Sequence, residues 1–262
     1  MTAVADRATA TTEGRDVSQA HADPGGPGTE PATGVRLRVL SYNVHSRRDD
    51  VDALVAVVRD LRPDVMIVQE GPRRFRWRQK AAALARSFGM VVAAGGLPSL
   101  GNVVLTTLRV RVVDTWCLRY PLTPGRHLRG AVFARCAVGP AAFVVAGSHL
   151  GTDPTERPGQ AALFKEAMSG VGSPLIVGAD LNENSGGAAW RTIADGLTDT
   201  ALAADRADRL TFSCANPRDR IDALFVDPRI GVVDYDVVDT ETSRRASDHF
   251  PVVADLMVPA LG

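Results

Sequence analysis

The chain has 262 residues, of which 45% are hydrophobic, and these values favour one α/β domain with a large core over two domains. Its 30 Lys and Arg residues balance 30 Asp and Glu residues, so no overall charge directs the protein to nucleic acid or to a membrane surface. Cys117, Cys136 and Cys214 form no Cys-x-x-Cys pair, and we expect buried thiols in a reducing compartment rather than a disulfide framework.

The first 34 residues differ in composition from the rest of the chain. Residues 1–34 contain no aromatic side chain and include a Pro-Gly cluster at residues 24–28. Such a segment buries too little apolar surface to offset its ordering entropy, so we predict a disordered tail ahead of a domain at residues 35–262. The tail lacks the apolar region of a secretory signal, and no later apolar run reaches the roughly 18 residues of a membrane span. We therefore expect a cytoplasmic protein.

Strands and helices alternate after the tail. β-branched residues and partial alternation predict strands, whereas apolar residues at spacings of three and four predict helices. The predicted strands are residues 35–44, 65–68, 90–94, 103–106, 110–116, 130–138, 142–148, 175–177, 221–226 and 252–256. The predicted helices are residues 51–61, 77–88 and 157–168. Five consecutive strands between residues 90 and 148 are joined by short loops, which predicts antiparallel pairing between them.

Polar side chains recur where these strands end. They are Asn43, Glu70, His149, Asp180 with Asn182, Asp222, and Asp248 with His249, and only the last pair precedes its strand. Strand ends gather at one edge of a sheet, so residues that are far apart in sequence can meet there. The pattern therefore predicts one pocket that contains all of these groups.

The residue types indicate which chemistry this pocket supports. Asp180 and Asn182 are two positions apart on an extended segment, so their oxygens can face one ligand. Hard oxygen donors suit Mg²⁺ or Mn²⁺ rather than zinc. Asp222 can orient an imidazole such as that of His249 and stabilise its cationic form, as acid–base catalysis requires. Each residue alone also has a structural interpretation. Glu70 fits a solvated or ion-paired residue at the end of a strand, and His149 fits a hydrogen-bonded histidine in a turn.

The order of these motifs resembles that of the endonuclease/exonuclease/phosphatase superfamily, which includes deoxyribonuclease I. The resemblance rests mainly on Asp180-Leu181-Asn182 and Ser247-Asp248-His249 and covers residues 36–256. It implies a four-layer α/β sandwich in which two mixed β-sheets pack face to face and are flanked by helices.

The resemblance also implies a role for each site residue. Asn43 and Glu70, with Asp248 nearby, correspond to the metal site, and Asp180 and Asn182 to the groups that position and activate the attacking water. His249, oriented by Asp222, corresponds to the histidine that contacts phosphate. His149 matches a histidine of deoxyribonuclease-like members, and Arg129 resembles a phosphate-binding arginine.

The implied activity is Mg²⁺-dependent hydrolysis of a phosphoester, with Mn²⁺ as a second possible cofactor. Basic residues next to the motifs favour a substrate with more than one phosphate; they are Arg47, Arg48, Arg73, Arg74, Arg76, Arg78, Lys80, Arg244 and Arg245. Nucleic acid is the first candidate, followed by phosphoinositides, sphingomyelin-like lipids and other small phosphoesters. A catalytically silent binding module of the same fold is the alternative class, and the sequence leaves the choice between diester and monoester, and the oligomeric state, open.

Overall fold

The computed structural model describes residues 34–260 of the chain. The predicted disordered tail therefore lies outside the described residues, apart from Gly34. Among the described residues, no helix is long and apolar enough to cross a membrane.

Strands and helices alternate over most of the described chain. The strands are β1 (Gly34–Asn43), β2 (Val65–Gln69), β3 (Val91–Gly95), β4 (Val103–Thr106), β5 (Arg111–Arg119), β6 (Gly130–Val138), β7 (Ala141–His149), β8 (Leu175–Asp180), β9 (Thr198–Asp199), β10 (Asp222–Val226), β11 (Gly231–Val237) and β12 (Val252–Pro259). The helices are α1 (Val51–Leu61), α2 (Trp77–Ser87), α3 (Arg157–Met168), α4 (Ala188–Ala194), α5 (Thr200–Ala203) and α6 (Glu241–Ala246), and a 3₁₀ turn covers His45–Arg47.

These strands form two six-stranded sheets. The first sheet has the order β11-β12-β1-β2-β4-β3, and the second has the order β5-β6-β7-β8-β10-β9. β1 pairs with β2 in parallel and β7 pairs with β8 in parallel, whereas the other pairs are antiparallel. Both sheets are therefore mixed.

The sheets pack face to face, with helices on their outer faces. The central core joins Leu37 and Ile67 of the first sheet to Val132 and Val145 of the second. A second cluster packs the outer face of the second sheet against α3 and α4, and a third packs the first sheet against α1 and α2. This arrangement confirms the predicted four-layer α/β sandwich.

Two glycines allow the sheets to approach closely beneath the edge at which β7 and β8 end. A Cβ atom on Gly147 would lie 2.6 Å from Ile67 Cγ2, and one on Gly178 would lie 2.6 Å from Ile67 Cδ1 and 2.9 Å from Ser41 Oγ. Such distances are shorter than van der Waals contact, so a side chain at either position would push the sheets apart.

Two predictions about structure were wrong. The five consecutive strands do not all pair in sequence order, because β4 belongs to the first sheet and β5 to the second. The chain crosses between the sheets at that point, and the antiparallel prediction holds only within each sheet. Cys136 and Cys214 are buried free thiols, but Cys117 is exposed because β5 is the edge strand of its sheet.

Candidate active site

The strand register aligns the polar groups of the second sheet. His149 at the end of β7 is paired with Asp180 at the end of β8, and Asp180 is paired with Asp222 at the start of β10. In the first sheet β1 ends at Asn43, and Ser247 Oγ donates a hydrogen bond of 2.7 Å to the Asn43 carbonyl. That bond ties the segment that carries Asp248 and His249 to the end of β1.

Asp180 is the centre of a buried network. Its Oδ2 lies 2.8 Å from Asn43 Nδ2, which donates, and 3.1 Å from His149 Nε2. Its Oδ1 accepts a hydrogen bond of 3.0 Å from the backbone N–H of Asn182. Asp180 is only 1% exposed, and its carboxylate therefore depends on these donors in place of water.

Burial and the neighbouring Arg129 together keep His149 neutral. The guanidinium of Arg129 lies 3.1 Å from His149 Nδ1, and arginine can only donate, so Nδ1 is the acceptor and the ring proton is on Nε2. Burial lowers the pKa of His149 to about 3, with Arg129 adding to this effect and Asp180 opposing it. The Asn182 side-chain nitrogen also lies 3.0 Å from Nε2, but it donates to the Leu150 carbonyl, so the Asp180 carboxylate is the acceptor for the Nε2–H of a neutral His149 ring.

His249 has the opposite character. Its Nδ1 lies 2.9 Å from Asp222 Oδ2, and both groups are buried. Burial lowers the pKa of His249, but the charges of Asp222 and Asp180 outweigh this effect and raise it to about 10. His249 is therefore a cation, and its Nε2 lies 3.8 Å from Asp180 Oδ2. The ring of Phe212 packs against it at a centroid distance of 4.7 Å.

An open cavity of about 500 Å³ lies beside this network. Its lining residues are His45, Ser46, Arg47, Arg48, Glu70, Gly71, Pro72, Arg73, Arg74, Lys80, His127, Arg129, Thr152 and Asp248. Glu70 and Asp248 supply its two carboxylates. Arg129 lines the cavity and also contacts His149, so it connects the cavity to the buried network.

Left-handed backbone conformations shape the edge of this cavity. Glu70 has a φ of 56°, and His45, Ser46 and Arg47 have φ values of 42°, 53° and 59°. Non-glycine residues rarely adopt such values, and each costs about 1–3 kcal/mol. The conformations bring the Ser46 hydroxyl to 2.9 Å from Glu70 Oε2, to which it donates a hydrogen bond.

The donor set at the cavity fits a hard divalent cation. Glu70 and Asp248 present carboxylate oxygens to the same space. The Asn43 amide oxygen accepts from the His45 N–H at 3.0 Å, which leaves one lone pair for a further contact. His45, Asp49 and Asp248 also converge, with ligand atoms within 4.8 Å of one another, and form a second candidate group at the edge.

Arg129 has the features of an anion-binding residue. It is 8% exposed, its Nε is buried without a hydrogen-bond partner, and burial lowers its pKa. Among the described residues, no carboxylate lies within 4 Å of it to form an ion pair. A buried cation without an acidic partner is costly, and an anion in the cavity would remove that cost.

The structure separates the predicted basic run into two groups. Arg73, Arg74 and Lys80 line the cavity, but Arg76 and Arg78 do not, and Arg78 stacks over the Trp77 ring at 4.5 Å. Sequence reasoning missed Ser46, His127, Thr152 and Phe212. The position of Ser46 next to His45 was a usable signal, whereas nothing in the sequence around the other three indicated the site.

Solved structures with the same fold include an endonuclease/exonuclease/phosphatase family protein from Bacteroides thetaiotaomicron, at a TM-score of 0.71 and 20% identity over 86% of this chain and 99% of that one. The mannosyl-6-phosphatase of Bacteroides thetaiotaomicron has a TM-score of 0.70 and 19% identity, over 84% of this chain and 99% of that one. TDP2 from D. rerio, complexed with single strand DNA product, has a TM-score of 0.68 and 16% identity, over 84% of this chain and 98% of that one. A search of curated proteins found no match.

The family model for endonuclease/exonuclease/phosphatase proteins matches residues 40–249. This range includes every residue of the buried network and both carboxylates of the cavity. The two-sheet sandwich and the match over most of the chain agree with each other. The chain therefore belongs to the endonuclease/exonuclease/phosphatase family, whose members are phosphoesterase hydrolases.

Proposed function

We propose that this protein is a divalent-metal-dependent phosphoesterase that hydrolyses its substrate by in-line attack of water. The observation that carries the proposal is the pair of histidines at Asp180. His149 is held neutral and donates to Asp180, and His249 is held as a cation 3.8 Å away. A carboxylate, a neutral N–H donor and an imidazolium at one point are groups that phosphoester hydrolysis can use for proton transfer and charge stabilisation.

The cavity would bind the phosphate that is cleaved. Arg129 would donate from its guanidinium to a phosphate oxygen, since Arg and phosphate form strong charge-assisted hydrogen bonds. Glu70 and Asp248, with Asn43 behind them, would hold Mg²⁺ or Mn²⁺, and the bound cation would neutralise charge on the phosphate oxygens.

The buried network would supply the proton transfers. Asp180 would take a proton from the attacking water, with Asn182 positioning that water next to it. His249 would stabilise the negative charge that develops on the phosphate or protonate the leaving oxygen, and Asp222 would keep its ring charged. His149 would hold Asp180 in place through Nε2.

Two of the similar structures suggest classes of substrate for the proposed enzyme. The mannosyl-6-phosphatase and the DNA complex among the similar structures make both a small phosphomonoester and a nucleic acid reasonable substrates for this chain. The catalytically silent binding module remains the rival proposal, and it gives no reason for the opposite protonation states of His149 and His249.

Hydrolysis of bis-p-nitrophenyl phosphate and p-nitrophenyl phosphate tests the proposal and separates diester from monoester activity. We expect Mg²⁺ or Mn²⁺ to support release of nitrophenol and EDTA to abolish it. Asp180→Asn and His249→Ala should each lower kcat by at least roughly a hundredfold while the thermal unfolding transition is retained. Absence of metal-dependent turnover with both compounds, or equal turnover by the Asp180→Asn protein, would refute the proposal.

A further inference from the structure

The catalytic cavity contains more positive charge than one phosphate can neutralise. Its lining includes five arginines and one lysine, namely Arg47, Arg48, Arg73, Arg74, Arg129 and Lys80, against the carboxylates of Glu70 and Asp248. Six cations less two carboxylates leave four positive charges in a protein whose formal net charge is zero. A single phosphodiester carries one negative charge, and a divalent cation bound by the carboxylates would increase the excess.

These cations are not neutralised by the protein. Across residues 34–260, none of the six lies within 4 Å of a carboxylate, whereas nearby arginines do form such pairs. Arg126 pairs with Asp153, and Arg157 pairs with Glu183 at 3.6 Å. Like charges crowded into one cavity without partners destabilise the protein unless a ligand brings the compensating charge.

Arg73 is held in place before any ligand binds. Its NH1 group donates to the carbonyl oxygens of Leu100 at 3.1 Å and Leu128 at 3.3 Å. Among the described residues, no acceptor contacts its other N–H groups, which therefore remain available to an anion. An arginine whose rotamer is already fixed loses less entropy when it binds phosphate.

We propose that this cavity binds a second phosphate of the substrate, next to the phosphate that is cleaved, between the loop that carries Arg47 and Arg48 and the loop that carries Arg73 and Arg74. This inference rests on the proposed function. The chemical class is an organic phosphoester with a further phosphate close to the scissile one. Because Arg76 and Arg78 lie outside the cavity, the subsite is compact and does not continue along the basic run.

Two pairs of probes test the subsite, and each pair differs by one phosphate. The first pair is a thymidine dinucleoside monophosphate without and with a 5′-phosphate, and the second is fructose 6-phosphate and fructose 1,6-bisphosphate. We expect the added phosphate to raise kcat/KM by at least about tenfold in one pair, which identifies a nucleotide strand or a small molecule as its source. The gain should shrink as salt concentration rises.

A charge-matched variant locates the effect. Arg47→Gln combined with Arg74→Gln should reduce the gain to less than about threefold, whereas Arg76→Gln combined with Arg78→Gln, which removes two charges outside the cavity, should leave it unchanged. The gain is a ratio within each variant, so a loss common to both probes cancels. If the first double variant does not fold, either single variant should still reduce the gain.

Binding gives a readout that is independent of turnover. The Asp180→Asn protein in EDTA should bind the doubly phosphorylated member of the same pair more tightly, as measured by calorimetry. No gain in either pair, by turnover or by binding, would overturn the subsite, and so would an equal loss of gain in the Arg76 and Arg78 control. Failure of both nitrophenyl compounds to react would instead refute the proposed function, so the two failures can be told apart.

Discussion

Replacing Arg129 with Met should change the protonation of His149. In the native protein Arg129 donates to His149 Nδ1 at 3.1 Å, so protonation of that nitrogen would place two positive charges next to each other. Two unit charges about 4 Å apart interact by about 4 kcal/mol at an effective dielectric constant of about 20. That energy corresponds to about three pKa units. Burial is the larger cause of the low pKa and remains in the variant, so without Arg129 the pKa of His149 should rise from about 3 by less than this amount.

Nitrogen NMR of the imidazole ring measures this change directly. The native protein should show His149 as the neutral Nε2–H tautomer between about pH 5 and pH 8, and the ring in the Arg129→Met protein should take up its second proton at a higher pH than the native ring does. Arg129→Gln is the matched control, because its amide can still donate to Nδ1 and should preserve the tautomer at neutral pH. A native ring with its proton on Nδ1, or a variant ring that titrates no higher than the native one, would refute the reasoning.

Three further predictions concern the metal site, His249 and the sheet interface. Glu70→Ala should weaken Mg²⁺ binding in calorimetry without loss of the thermal transition, and unchanged affinity would remove Glu70 from the metal site. Despite the opposing effect of burial, Asp222 and Asp180 raise the pKa of His249 to about 10, so the folded state keeps a proton that the unfolded state releases above about pH 6.5. In EDTA the free energy of unfolding should therefore fall as pH rises from about 6.5 to about 10. Asp222→Asn should make this fall less steep. An unchanged slope would show that the Asp222 carboxylate does not raise the pKa of His249. Gly178→Ala should lower the free energy of unfolding by about 1–3 kcal/mol in urea titrations, because its methyl group would lie 2.6 Å from Ile67 Cδ1 and 2.9 Å from Ser41 Oγ, and a neutral result would mean that these side chains can move aside without loss of packing.

The sequence predicted those elements whose apolar pattern is regular. The bounds of α1 and α3 agree with the prediction, because one face of each helix is buried and the apolar spacing shows it. α6 was missed because only Ser243 and Ala246 are buried in it, and it is stabilised by a capping box at Thr240. β11 was missed because it is an edge strand with few buried side chains, so its sequence has no clear period.

The sequence also predicted which groups would meet but not how they would act. Asn43, Asp180 and His249 lie together as predicted. The predicted single pocket is divided, however, because Glu70 and Asp248 line the cavity and the other groups form the buried network beside it. The opposite pKa shifts of His149 and His249 depend on their surroundings in the fold: burial, reinforced by Arg129, lowers the pKa of His149, whereas at His249 the effect of burial is outweighed by Asp222 and Asp180, which raise its pKa. Arg129 is 20 residues from His149 in the sequence, and Asp222 is 27 residues from His249. The hydrophobic pattern of the sequence does not show which polar residues meet over such separations.

Gly147 and Gly178 let the two sheets approach closely, so residues from both sheets form the proposed active site. The first sheet supplies Asn43 and the second supplies Asp180, and a 2.8 Å hydrogen bond joins their side chains across the interface. At this interface the Ile67 side chain packs against Gly147 and Gly178. The thickness of the hydrophobic core at that point therefore sets the distance between Asn43 and Asp180 in the proposed active site. Core substitutions that never touch the substrate can then change the reaction rate by tilting one sheet against the other, and activity becomes a sensitive measure of how the core is packed.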